Sequence, residues 1–251
     1  MLSQKEMQQP TSEYARSEGI RLLEHLVEAH RGLFTAGEAV AMAQGLGVSA
    51  SHTYTILHHL ARSGYLRRLP KGLYVVTSPI AGGAEPHTFA IATHLVQPSV
   101  ISHWSALQHW GLIDQIPFVV TASSPKVVVT PDMRRPEPSE SSRPRRHSAW
   151  IIDGLRYEFI RIRSRDMFGI DQVWVDGETQ VPMFDRERTL LDAFVQVQRF
   201  GVGQLGEEIL DERRDLIDQE RLIGYAQKME RPRVLARVRA AVDRDRHEGS
   251  R

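Results

Sequence analysis

The chain has 251 residues, 41% hydrophobic and 25% charged, with a net charge of +1 and no cysteine. This composition excludes dominant disorder, and the missing thiols exclude disulfide scaffolds, thiolate zinc sites and cysteine nucleophiles. No apolar run approaches the roughly 20 residues of a membrane helix, and residues 1–18 lack a signal-peptide core, so one or two cytoplasmic domains with no membrane contact are expected.

In chain order, Ile20, Leu23, Leu26, Val27 and His30 recur at helical spacing and predict a helix over Ser12–His30, stopped by Gly32. Thr35-Ala36-Gly37-Glu38 is a capping box, opening a short helix to about Gln44 with Ala39, Val40 and Ala43 inward. Gly45-Leu46-Gly47-Val48 reads as a turn. Ser49 then caps a third helix to Ser63. Its inward face is Thr53, Ile56, Leu57 and Leu60, and its outward face is Ser51, His52, Thr55, His58, His59 and Arg62. Gly64 ends it. The β-rich runs Tyr65–Leu69 and Leu73–Val76 flank Pro70-Lys71-Gly72 and predict a hairpin. Three helices followed by a basic hairpin make a winged helix-turn-helix over residues 1–80, with the third helix as the recognition helix.

Between Glu38 and Glu85 there is no acidic residue, while Arg62, Arg67, Arg68 and Lys71 fall inside that stretch. A surface without carboxylates does not repel phosphates, and a local basic field attracts polyanions whatever the net charge. The candidate DNA-binding residues are therefore Ser51, His52, Thr53, Thr55, His58, His59 and Arg62 on the helix, with Arg67, Arg68 and Lys71 in the wing. The competing readings are a merely solvated basic face and a winged helix used only to dock protein. A steep salt dependence of duplex binding separates them from DNA recognition.

Ser78–Glu85 is turn-rich and reads as a linker to a second domain over residues 86–246. His87–Val96 predicts a helix, and Ser102 caps another over His103–Trp110, stopped by Gly111. Phe118–Ala122 and Lys126–Val129 read as strands. Asp153-Gly154 and Asp176-Gly177 each sit between β-rich runs and predict type I′ hairpins. In Leu155–Arg163 the apolar phase changes at Phe159-Ile160, which predicts a bulge or a strand partly buried on both sides. Pro131–His147, rich in Pro, Ser and Arg, reads as a loop. The last third is helical: Asp185 caps Arg186–Val197, a helix lies within Gly203–Asp215, Asp218 caps one through Met229, and Pro232 starts one to about Asp245. The fold class is α+β: a winged helix-turn-helix, then a mixed α/β domain with a helical C-terminal part.

Four runs carry a family resemblance: Lys71-Gly72-Leu73-Tyr74-Val75; Val100-Ile101-Ser102-His103-Trp104-Ser105-Ala106-Leu107 through Gly111-Leu112; Met167-Phe168-Gly169; and Asp185-Arg186-Glu187-Arg188-Thr189-Leu190-Leu191-Asp192-Ala193. Their order and spacing, from about Ser12 to Asp245, resemble the AbiEi antitoxins of type IV toxin–antitoxin (abortive infection) systems. The resemblance implies an autorepressor that binds promoter inverted repeats through its winged helix. It also implies an antitoxin domain that counters a nucleotidyltransferase-like toxin without requiring a stable complex. Inverted half-sites imply a homodimer or paired binding on the DNA.

Enzymatic readings are weaker. The P-loop, nucleophile-elbow and zincin patterns are missing from the sequence. His58 and His59 point about 100° apart on a helix, and His103 and His109 are poorly spaced for one ion, so neither a metal nor a cofactor is expected. Asp185, Glu187 and Asp192 could form a nuclease carboxylate set. Asp185 is more simply an N-cap, and Arg186, Glu187 and Arg188 are more simply surface charges of a first turn or a salt bridge to the sheet. The alternatives are thus a stand-alone winged-helix regulator, or a DNA-binding nuclease.

Overall fold

The computed structural model describes residues 12–30, 32–77, 85–128, 149–196 and 203–248. It divides into two compact units, Met1–Leu95 and Val96–Arg251. Both mix helices with sheet.

The first unit opens with α1 (Ser12–His30), β1 (Leu33–Thr35), α2 (Ala36–Gly45) and α3 (Ala50–Arg62). Gly32 takes φ +84°, the left-handed turn that ends α1. The capping box at α2 is complete: the Glu38 N–H donates to Thr35 Oγ1 (3.2 Å), and the Thr35 N–H donates to Glu38 Oε2 (2.6 Å). Ser49 Oγ accepts from the His52 N–H and starts α3. Then follow β2 (Leu66–Arg68), a 3₁₀ turn at Pro70–Gly72, and β3 (Leu73–Val76). Helix α4 (Thr88–Leu95) completes the unit, which therefore extends past residue 80. The three strands form an antiparallel sheet in the order β1-β3-β2. Strand β1 is not predicted from the sequence, because three residues are too few to show alternation. Pairing of Leu33 with Val75 and Thr35 with Leu73 creates it.

The core of this unit joins Leu22, Leu23 and Leu26 of α1 to Ile56, Leu57 and Leu60 of α3, with Phe34 stacked on Tyr74 at 5.9 Å. Gly19 sits where α1 crosses α3; a β-carbon there would lie 3.4 Å from Ile56 Cγ2. Burial of Leu22 turns the inner face of α1 slightly from the expected stripe, and Ile20 and Val27 are only half-buried.

The second unit holds a six-stranded mixed sheet. Its strands are β4 (Val100–Ile101), β5 (Val119–Ser124), β6 (Ala149–Ile152), β7 (Leu155–Arg161), β8 (Ile170–Trp174) and β9 (Gln180–Phe184), in the order β6-β7-β5-β4-β9-β8. Helix α5 (His103–His109) packs on β5. The helical part comprises α6 (Arg186–Val195), α7 (Leu205–Glu212), α8 (Gln219–Lys228) and α9 (Pro232–Glu248). Leu190, Leu191, Phe194, Leu210, Leu222 and Val238 form its centre. Gly206 lets α7 approach α6, for a β-carbon there would meet the Phe194 ring at 2.7 Å.

Several expectations need correction. The Asp153-Gly154 turn has both residues at positive φ, +51° and +79°, as a type I′ hairpin requires. Asp176-Gly177 does not. There the Val175 N–H bonds Thr179 O, and the Asp176 carboxylate accepts from the Glu178 and Thr179 N–H groups, so side-chain hydrogen bonding shapes a longer turn. Strand β7 has no bulge: its register with β5 runs one-to-one from Val119–Arg156 to Ser124–Arg161. Phe159 and Ile160 are both buried because β7 is an inner strand, between β6 and β5. Lys126–Val128 is not a strand; Val127 is exposed and the Lys126 N–H turns to the Ser124 hydroxyl at 3.2 Å. Ser102 precedes α5 without capping it. Its hydroxyl bonds Ser123 Oγ and His103 Nδ1, each at 2.9 Å. Val129, the expected linker before Glu85 and the loop Pro131–His147 lie outside the described residues.

Candidate nucleic-acid interface

Helix α3 owes its exposure to its own periodicity. Thr53, Ile56, Leu57 and Leu60 are buried against the unit's core. Ser51, Thr55, His58 and Arg62 follow the i, i+4, i+7, i+11 spacing of one stripe and are exposed. His59 is exposed on one flank. Tyr54, on the other, is 55% exposed. Sequence reading missed Tyr54, because an aromatic residue in an amphipathic helix is ordinarily assigned to the core. The helix has no acid in its first turn, and His59 and Arg62 in its last.

The predicted residues are not equivalent. Thr53 is fully buried, and its hydroxyl donates to Ser49 O at 2.9 Å, so it belongs to the inner face and is removed from the candidate DNA-facing residues. His52 is half-buried, with Nε2 3.2 Å from Glu18 Oε2 of α1. Thr55 donates to Ser51 O, one turn back. Arg67 and Arg68 are adjacent on β2 and therefore point to opposite faces of the sheet. Arg67 is ion-paired to Glu85. Arg68 and Lys71 are exposed, and Lys71 sits at φ +59° beside Gly72 at φ +73° at the tip of the hairpin. The acid-free stretch of sequence is thus not wholly acid-free in space: Glu18 meets His52 and Glu85 meets Arg67. Among the described residues, the stripe Ser51-Thr55-His58-Arg62 with Tyr54 and His59 has no carboxylate partner.

The carboxylates weighed as a nuclease set are committed elsewhere. Asp185 Oδ1 accepts from the Arg188 N–H, which makes it the N-cap of α6, and Oδ2 accepts from Tyr225 Oη (2.7 Å) and Arg221 (2.9 Å). Burial, then the hydrogen bond to Asp185, raises the Tyr225 hydroxyl above its ordinary pKa. Glu187 accepts from the Asp218 N–H at 3.0 Å. Asp192 bonds Arg188 Nη1. Glu187, Arg188 and Asp192 are buried, which corrects the expected place of Glu187 and Arg188 on the surface. Among the described residues no group of three or more His, Asp or Glu is arranged to hold a metal ion. No helix among them is long and apolar enough to cross a membrane.

The runs that carried the family resemblance have structural reasons. Ser102, Ser105, Thr121 and Ser123 form a hydroxyl seam that ties α5 to β5, including Thr121 Oγ1 to Ser102 O at 2.6 Å. Gly169, at φ +65°, passes so close to α6 that a β-carbon would lie 2.8 Å from Arg188 Cβ.

A small unit with a carboxylate-poor exposed helix beside a three-stranded sheet is the kind of module that transcriptional regulators use. Residues 21–77, within that unit, match the family model described as "Transcriptional regulator, AbiEi antitoxin", so the resemblance read from the sequence holds over these residues. No curated protein matches the chain. The fold is similar to the crystal structure of the RV2827C protein from Mycobacterium tuberculosis, with a TM-score of 0.56 and 18% identity over 90% of this chain and 76% of that one. At that identity the likeness is one of fold.

Proposed function

We propose that the chain is an antitoxin and transcriptional autorepressor of a type IV toxin–antitoxin system. In this reading the first unit is a winged helix-turn-helix, with α3 as recognition helix and β2–β3 as wing, and it binds inverted repeats in its own promoter as a homodimer or as paired copies. The second unit, Val96–Arg251, counters a nucleotidyltransferase-like toxin without needing a stable complex. The observation that carries the DNA-binding half is the exposed stripe of α3. It is polar to basic, has no carboxylate partner among the described residues, and lies within the segment that matches the AbiEi regulators.

The site then divides by role. Ser51, Tyr54, Thr55 and His58 on α3 face base edges, and Arg62, Arg68 and Lys71 meet phosphates. His52 and Arg67 reach DNA after parting from Glu18 and Glu85. Titrating promoter DNA at several salt concentrations tests this. Arg68→Ala and Lys71→Ala should weaken binding to all sequences and lower the salt slope by about 1 each. Tyr54→Ala and Thr55→Ala should shift preference among operator variants by about 1–3 kcal/mol for each base that is no longer read. Equal weakening on operator and random DNA for all four would remove α3 from base reading.

A further inference from the structure

The second unit contains a cleft that the proposed function does not use. Its walls are Arg161 and Arg163 from the end of β7, Arg188 from α6, and Arg231 just before α9, with Asp166 and Asp192. We propose that this cleft binds the phosphate group of a small phosphomonoester.

Charge is the first support. Four guanidinium groups face two carboxylates, and only two of the four are neutralised in place. Arg231 pairs with Asp166 at 3.2 Å and Arg188 with Asp192. Arg161 and Arg163 are exposed and make no ion pair among the described residues. They lie two residues apart in extended chain and so project to the same side.

Unsatisfied atoms are the second support. Arg188 is fully buried, held between the Phe184 and Phe168 rings, with its guanidinium carbon 4.3 and 5.2 Å from their centroids. Its Nη1 donates to Asp192 and its Nη2 to Asp166 O, yet its Nε–H has no acceptor. Asp192 Oδ2 is buried too and accepts no hydrogen bond; His103 Nδ1 is the nearest cation-forming group on its other side, at 3.7 Å. Arg188 and Asp192 both line the cleft, and a buried donor without a partner asks for an acceptor. A phosphate oxygen is an acceptor of that kind.

Size and shape narrow the class. The cleft offers about 260 Å³, well beyond the roughly 10–15 Å³ that one water needs. Arginine forks match the spread oxygens of a phosphate. Arg161 and Arg163 are exposed to a terminal phosphate on a small molecule, and a recessed cleft admits that group more readily than the internal phosphodiesters of a stiff duplex.

The test uses the full chain, with inorganic phosphate, a nucleoside monophosphate and a nucleoside triphosphate titrated against sodium chloride at equal ionic strength. Thermal unfolding and calorimetric titration are read for the wild type, for Arg161→Ala/Arg163→Ala, and for Arg68→Ala/Lys71→Ala as a control on the proposed wing. A saturable rise in Tm is expected for the wild type and the wing variant. In the cleft variant the affinity should fall about tenfold or more, as removal of charged hydrogen bonds implies. Stabilisation by phosphate itself identifies the group alone as the ligand, and stabilisation by a nucleotide only identifies a larger ester. Both arginines are exposed, so the core survives their replacement; should the double variant unfold, Arg163→Ala alone gives the same comparison. No stabilisation beyond chloride, an equal response from the cleft variant, or displacement of bound phosphate by random duplex DNA would overturn the proposal.

Discussion

Arg188 shows how little a residue's chemical type says about where it ends up. It begins a helix in a run of charges, Asp185 to Arg188, that reads as solvated surface, yet it is wholly buried between two aromatic rings and bonded to Asp192. A buried ion pair of this kind adds little by its presence, because desolvation offsets the attraction. Breaking it is another matter. Arg188→Leu should destabilise the protein by about 3–5 kcal/mol, since Asp192 would be left as an unpaired buried charge. Replacing both residues by leucine should recover much of that deficit. Urea unfolding of the two single variants and the double variant measures the coupling, and purely additive effects would show that the pair does not act as a unit.

Elements in the second unit are joined by a few polar clamps between helices. One ties α8 to the start of α6: Tyr225 Oη and Arg221 both bond Asp185 Oδ2, and Glu187 of α6 caps the entry to α8 through the Asp218 N–H. Burial raises the Tyr225 pKa, so the folded state holds the neutral phenol where the unfolded chain already loses its proton. The sign follows from linkage. The contribution is fully present below the unfolded pKa of about 10, and it is lost as pH rises through the higher folded value. Tyr225→Phe should cost about 1 kcal/mol at neutral pH, as removal of one hydrogen bond implies. It should also flatten the fall in stability at alkaline pH. Thermal unfolding of the two proteins between neutral and alkaline pH checks this, and parallel profiles would exclude Tyr225 as the titrating group.

At the scale of the molecule, the proposed division of labour makes its own prediction. The first compact unit, residues 1–95, should bind promoter DNA alone in a salt-dependent manner. A full-length variant with Arg67, Arg68 and Lys71 changed to alanine should lose operator binding yet still protect cells when expressed from a foreign promoter together with the toxin. Growth of cells carrying toxin and variant is the readout. If the variant is folded and abundant but protection disappears, antitoxicity depends on DNA binding.

Local signals were legible in the sequence because their physics is local. The capping box at Thr35, the Ser49, Asp185 and Asp218 caps, the stops at Gly32 and Gly64 and the Asp153-Gly154 turn each involve groups a few residues apart, so the chain alone specifies them. The amphipathic spacing of α3 likewise set which residues face outward, except that Tyr54 joins them and His52 is half-buried against Glu18. What lies far apart in sequence was decided only by tertiary structure. Strand β1 exists because β3 pairs with it. Glu18 and Glu85 enter the basic face through the fold, which closes 34- and 18-residue separations to ion-pair distance. The arginine cleft gathers residues from β7, α6 and the approach to α9 that no spacing rule connects. Periodicity and capping act over one or two turns, whereas burial, charge neutralisation and cavities depend on which surfaces the folded chain brings together.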